Sequence, residues 1–120
     1  MFLVDTSVWI EHFRWGRSEM SARLCDGLVL MHPCVSGELA CGSLKDRMAV
    51  LSDLATLPSV RLATDSEVLH LIEKKRLWGR GLGWVDVHLL ASALLSHCRL
   101  WTLDKRLARA ADDLGLISGA

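Results

Sequence analysis

Phe2-Leu3-Val4 runs straight into a lone carboxylate, Asp5, and then into two hydroxyl residues, Thr6 and Ser7. Three apolar residues closed by an acid, with Val8, Trp9 and Phe13 following at helical spacing, read as a short buried strand handing over to an amphipathic helix across residues 6–14. The handover recurs along the chain. Leu28–Met31 is a second apolar run, and Pro33 suits the first turn of the helix that follows over 34–44. Val60–Ala63 reads as a third strand ahead of a helix capped at Thr64 or Asp65. Leu100–Leu103 reads as a fourth strand ending at Asp104, and Leu116-Ile117 as a fifth at the edge. Further helices are expected over 18–25, 45–57, 84–97 and 105–114. Strands alternating with helices predict an α/β chain whose mostly parallel sheet of four to five strands is flanked by helices on both faces.

At 120 residues the chain makes one domain, spanning 1–120, with room for a real core. Lysine and arginine total 14 and aspartate and glutamate 14, so no net field advertises a nucleic-acid binder, although a local basic patch is still allowed. No charge-free run reaches the ~20 residues of a membrane span. Met1 leads directly into the first strand, which predicts no secretory segment and a cytoplasmic protein. The cysteines at 25, 34, 41 and 98 form neither a CxxC pair nor zinc-type spacing. They read as small hydrophobes.

Single acids interrupt otherwise apolar windows. Asp5 is the only charged side chain in residues 1–10, Glu38 the only one in 27–44, and Asp86 the only one in 81–98. Asp104 closes the strand Leu-Trp-Thr-Leu. Each has an ordinary explanation: Asp5 as a turn residue satisfied by nearby amides, Glu38 on an exposed helix edge, Asp86 favoured by a helix dipole, Asp104 as an N-cap. Together they say more. Asp5 and Asp104 end strands and Asp86 begins a helix, so a parallel sheet brings all three to one edge. Crowded carboxylates raise one another's pKa. A hard divalent cation, Mg²⁺ or Mn²⁺, relieves that conflict and suits phosphodiester hydrolysis.

FLVDTSVWIEHFR, VSGEL, GLGWVDVHLLASAL and LWTLDKRLARAA together resemble the PIN-domain ribonucleases and, within them, the VapC toxins of toxin–antitoxin pairs. The likeness runs from Phe2 to about Leu116. It implies a PIN-like fold, an acidic pocket for Mg²⁺ or Mn²⁺, endonuclease action on tRNA or ribosomal RNA, and an inhibitory antitoxin. By position it implies the catalytic set Asp5, Glu38, Asp86 and Asp104, with Thr6 and Thr102 at the family's hydroxyl positions.

In the resulting scheme Asp5, Asp86 and Asp104 position the metal, and Glu38 ligates it or orients the attacking water. Thr6 or Thr102 holds a carboxylate or phosphate oxygen. Lys74, Lys75, Arg76 and Arg80, interleaved with Trp78, are candidate RNA contacts, as are Arg14 and Arg17. Trp9 and Trp15 on the first helix suit an antitoxin or homodimer interface, while Trp9 and Trp84 also suit the core. A phospho-receiver domain is disfavoured because Thr6, not a second acid, follows Asp5. A haloacid-type phosphatase is disfavoured because position 7 is Ser. A housekeeping RNA-processing nuclease, or an RNA-binding module that does not cut, is the alternative within the family.

Overall fold

The computed structural model describes residues 1–117. Strand β1 (Phe2–Val4) lies at the centre of a parallel sheet, flanked by β2 (Val29–Leu30) and β3 (Arg99–Trp101). Leu3 sits opposite Leu30 on one side and Leu100 on the other. With neighbours on both edges and side chains covered on both faces, a central strand must be apolar throughout, and Leu3 and Val4 are buried.

The helices are α1 (Thr6–Trp15), α2 (Ser18–Cys25), α3 (Pro33–Cys41), α4 (Arg47–Leu54), α5 (Asp65–Lys75), α6 (Trp84–Ser96) and α7 (Lys105–Asp113). Their ends follow local chemistry. Gly16 supplies the positive φ of 74° that stops α1. Pro33 opens α3, with the His32 ring nitrogen accepting from the Cys34 amide. Thr64 and Glu67 form a reciprocal capping box at the start of α5. Helix α6 is buried along most of its length, from Val87 to Ala93, and packs against β3 and α5. Trp9, Met20, Leu89, Leu90 and Leu107 are among the largest fully enclosed side chains of the core.

Among the described residues the sheet has three strands, not the four to five expected. Met31 forms a single parallel bridge with Ser59, and Val60 donates to the Met31 carbonyl. There the pairing stops. The Arg61 and Ala63 amides turn instead to Ser96 Oγ and Ser92 Oγ of α6, at 2.8 and 3.3 Å. The β-prone run 60–63 is therefore fastened to a helix by serine hydroxyls, which compete with ladder pairing. Leu116 accepts one backbone bond from Leu100 without extending the sheet. Helix α3 stops at Gly42 rather than at 44, and α4 is shorter at both ends than the apolar spacing over 45–57 suggested.

Candidate active site

The carboxyl ends of β1 and β3 lie side by side, because the Asp5 amide donates to the Trp101 carbonyl in the last rung of their ladder. That rung sets Asp5 next to Thr102. Asp5 is 8 % exposed, so its carboxylate needs partners. The nearby amides do not provide them. Instead Ser7 Oγ and Thr102 Oγ1 both donate to Asp5 Oδ2 at 2.8 Å. Each hydroxyl is steadied from behind: Ser7 Oγ accepts from the Leu103 amide and Thr102 Oγ1 from the Asp104 amide, both at 3.0 Å.

The other acids are held by one oxygen as well. Thr6 Oγ1 donates to Glu38 Oε1 at 2.8 Å, joining the start of α1 to α3. The Gly83 amide donates to Asp86 Oδ2 at 2.8 Å, in the first turn of α6. Asp104 is the N-cap of α7, its Oδ1 taking the Arg106 and Leu107 amides. Among the described residues, the second oxygen of each of the four carboxylates accepts no hydrogen bond from the protein.

Their proximity is visible electrostatically. Burial pushes the Asp86 carboxyl above the ordinary aspartate value of 3.8, and the negative charges of Asp5, Asp104 and Glu38 push it further. The Gly83 hydrogen bond opposes the rise. The fold thus puts Asp5, Glu38 and Asp104 within electrostatic reach of Asp86. Among the described residues, however, no three His, Cys, Asp or Glu side chains are grouped closely enough to hold a bare metal ion. Hard oxygen donors with one free oxygen each, set too far apart for a closed cage, fit a cation such as Mg²⁺ that keeps several waters and takes few protein ligands.

The basic residues divide. Arg14 is exposed and lines a cavity of about 600 Å³ with Ile10, Phe13, Lys45 and Glu38, so of the four acids it shares that cavity with Glu38. Arg17 pairs with Glu11 and lies over the Trp101 ring. Lys74 and Lys75 flank a separate groove between α5 and α6, beside His70 and Leu94. Arg76 is the exposed C-cap of α5. Arg80 leaves that group and pairs with Asp113 at 2.7 Å, facing Lys105, Arg106 and Arg109 of α7. Those three α7 cations escaped the sequence reading, as did Ser7. The spacing Lys-Arg-x-x-Arg straight after Asp104 was the available signal. Trp84 is 45 % exposed, edge-on to His88, and does not belong to the core, whereas Trp9 does.

The PIN-domain family model matches residues 2–113. The chain is also 50% identical to Ribonuclease VapC32 of Mycobacterium tuberculosis, in strains CDC 1551 and H37Rv alike. That identity extends over 117 residues, 97% of this chain and 94% of the relative. Acids gathered at the carboxyl ends of a parallel sheet, on a sequence matching that model almost from end to end, make this chain a member of the PIN-domain family.

Proposed function

We propose that this protein is a divalent-metal-dependent endoribonuclease, the toxin of a VapBC-type toxin–antitoxin pair. The observation that carries the reading is that Asp5, Glu38, Asp86 and Asp104 each have one carboxylate oxygen fixed by hydrogen bonds and the other accepting none among the described residues. Four acids at one sheet edge with no described Lys or Arg paired to any of them are costly unless a cation joins them. The similarity to Ribonuclease VapC32 supports RNA as the substrate and an antitoxin as the partner.

Asp5, Asp86 and Asp104 would hold Mg²⁺ or Mn²⁺, directly or through water. The bound ion supplies a water of lowered pKa and stabilises charge on the phosphate. The chain's own residues do the positioning. Ser7 and Thr102 fix Asp5 from one side and leave its other oxygen open. Thr6 aims Glu38, whose carboxylate orients the attacking water or ligates the metal. The substrate is tRNA or ribosomal RNA. Ile10 and Phe13 leave an exposed apolar side on α1, with Trp15 exposed at the helix end, which suits an antitoxin segment or a second copy in a homodimer. No helix among the described residues is long and apolar enough to cross a membrane.

The test is cleavage of tRNA and ribosomal RNA by purified protein in Mg²⁺ or Mn²⁺. Activity is expected to vanish in EDTA and in Asp5→Asn and Asp86→Asn, and to be blocked by the antitoxin. Cleavage that survives EDTA or both substitutions sinks the metal-site reading.

A further inference from the structure

Beside the acids lies a cavity of about 330 Å³ whose lining is wholly cationic: Arg80, Lys105, Arg106 and Arg109. Only Arg80 has an ion-pair partner among the described residues, Asp113. Lys105 and Arg106 occupy the first turn of α7, which contains no acid. The dipole of a helix repels cations there. Arg109 follows at i+3 from Arg106 and i+4 from Lys105, so the three share one exposed side, opposite the buried Leu107, Ala110 and Ala111. Placing Lys105 and Arg106, neither with an ion-pair partner among the described residues, at the wrong end of a helix breaks a local rule, and such breaks mark functional surfaces.

The backbone accommodates this arrangement. Gly81 has φ +77°, and a Cβ added there would meet Arg106 Cδ and Nη1 at 2.7 Å. The Arg106 side chain therefore lies across the bare Cα of the Gly79–Gly83 loop. Two residues on, the same loop donates its Gly83 amide to Asp86. On the other side, Asp104 caps the helix that carries the cations. The patch thus joins the acidic pocket through both Asp86 and Asp104.

Resting on the ribonuclease reading, we infer that Lys105, Arg106 and Arg109, with Arg80, form a subsite for the RNA backbone, gripping phosphates that flank the one being cut. The guanidinium fork suits phosphate oxygens, and adjacency to Asp104 and Asp86 favours RNA over an acidic protein segment as the occupant.

The test is binding of a fluorescein-labelled single-stranded RNA in EDTA, read by anisotropy across a salt series, beside a cleavage assay in Mn²⁺. Arg106→Gln and Arg109→Gln are each expected to weaken binding about 3- to 10-fold. Each should also flatten the slope of log affinity against log salt by about 0.7, the value for one single-strand phosphate contact. Arg61→Gln, beyond the opposite end of α6, should change neither. Thermal melting checks folding, and Lys105→Gln, at an exposed position, provides a further variant. If wild type cleaves RNA while the patch variants bind with unchanged affinity and slope, the subsite is refuted, the nuclease reading stands, and an acidic protein segment becomes the occupant. If wild type binds RNA through the patch but does not cleave it, the subsite stands and the nuclease reading fails. If wild type neither binds nor cleaves RNA, both fail.

Discussion

Thr6 Oγ1 donates to Glu38 Oε1 across 32 positions of sequence, and this hydrogen bond fixes one oxygen of an exposed carboxylate whose charge reaches Asp86. Without it Glu38 is a solvent-facing side chain on α3 with several rotamers open to it. Thr6→Val, which keeps the shape and removes the donor, should lower the RNA cleavage rate by about 10- to 100-fold, the usual cost of losing a residue that orients a metal-site group. Thr6→Ser should retain most of the activity. Equal rates for Thr6→Val and wild type, measured with saturating Mn²⁺, would show that Glu38 needs no aiming.

Thr102 has a double duty, donating to Asp5 Oδ2 and accepting from the Asp104 amide. Thr102→Val leaves a mostly buried carboxylate with one hydroxyl partner fewer and strands the Asp104 amide. Urea unfolding should register a loss of about 1–3 kcal/mol, the range for hydrogen bonds to charged or buried groups. Thr102→Ser should recover most of it. Ser7→Ala removes the parallel donor and should behave similarly, with the pair of substitutions costing more than either alone.

Asp86 makes stability depend on pH in a direction opposite to most surface acids. Its folded-state carboxyl is raised, first by burial and then by its acidic neighbours. Between the ordinary value of 3.8 and the raised one, the native state binds more protons than the unfolded chain, so stability falls as pH rises through that window. Below 3.8 both states are protonated and the penalty is absent. Asp86→Asn, which keeps an oxygen for the Gly83 amide, should therefore be more stable than wild type at neutral pH in EDTA, with the gap closing in acid. Adding Mn²⁺ should raise the melting temperature of wild type and have much less effect on Asp86→Asn. A variant less stable than wild type at pH 7 in EDTA would contradict this account.

Much of this could be read from residues alone because the determinants are local. The four acids stood out because Asp5, Glu38 and Asp86 were each the lone charge of an apolar window and Asp104 closed an apolar strand, and burial makes such charges conspicuous. The β1 strand, the capped start of α5 and the buried α6 followed from apolar run length, a cap at Thr64 or Asp65, and the absence of charge after Asp86. What failed was non-local. Nothing within Val60–Ala63 reveals that Ser92 and Ser96, some 30 residues on, will claim its amides. Trp84 reads as core by hydropathy yet stands at an exposed helix start beside His88. The Lys74-Lys75-Arg76-Arg80 run looked like one patch, but the left-handed Arg76 and the glycine turn at Gly79 send Arg80 to a different face from the lysines.

The pairing of β1 with β3 carries a consequence for biosynthesis. Residues 2–4 take their register from residues 99–101, and Asp5 acquires the Thr102 hydroxyl from 97 positions away. Closing so long a loop is entropically slow and cannot begin until its far end exists. A growing chain accordingly has no assembled catalytic pocket through most of its synthesis. Fragments ending before Thr102 should be inert however well their helices form, so a ribosome translating this protein is not exposed to a half-made nuclease.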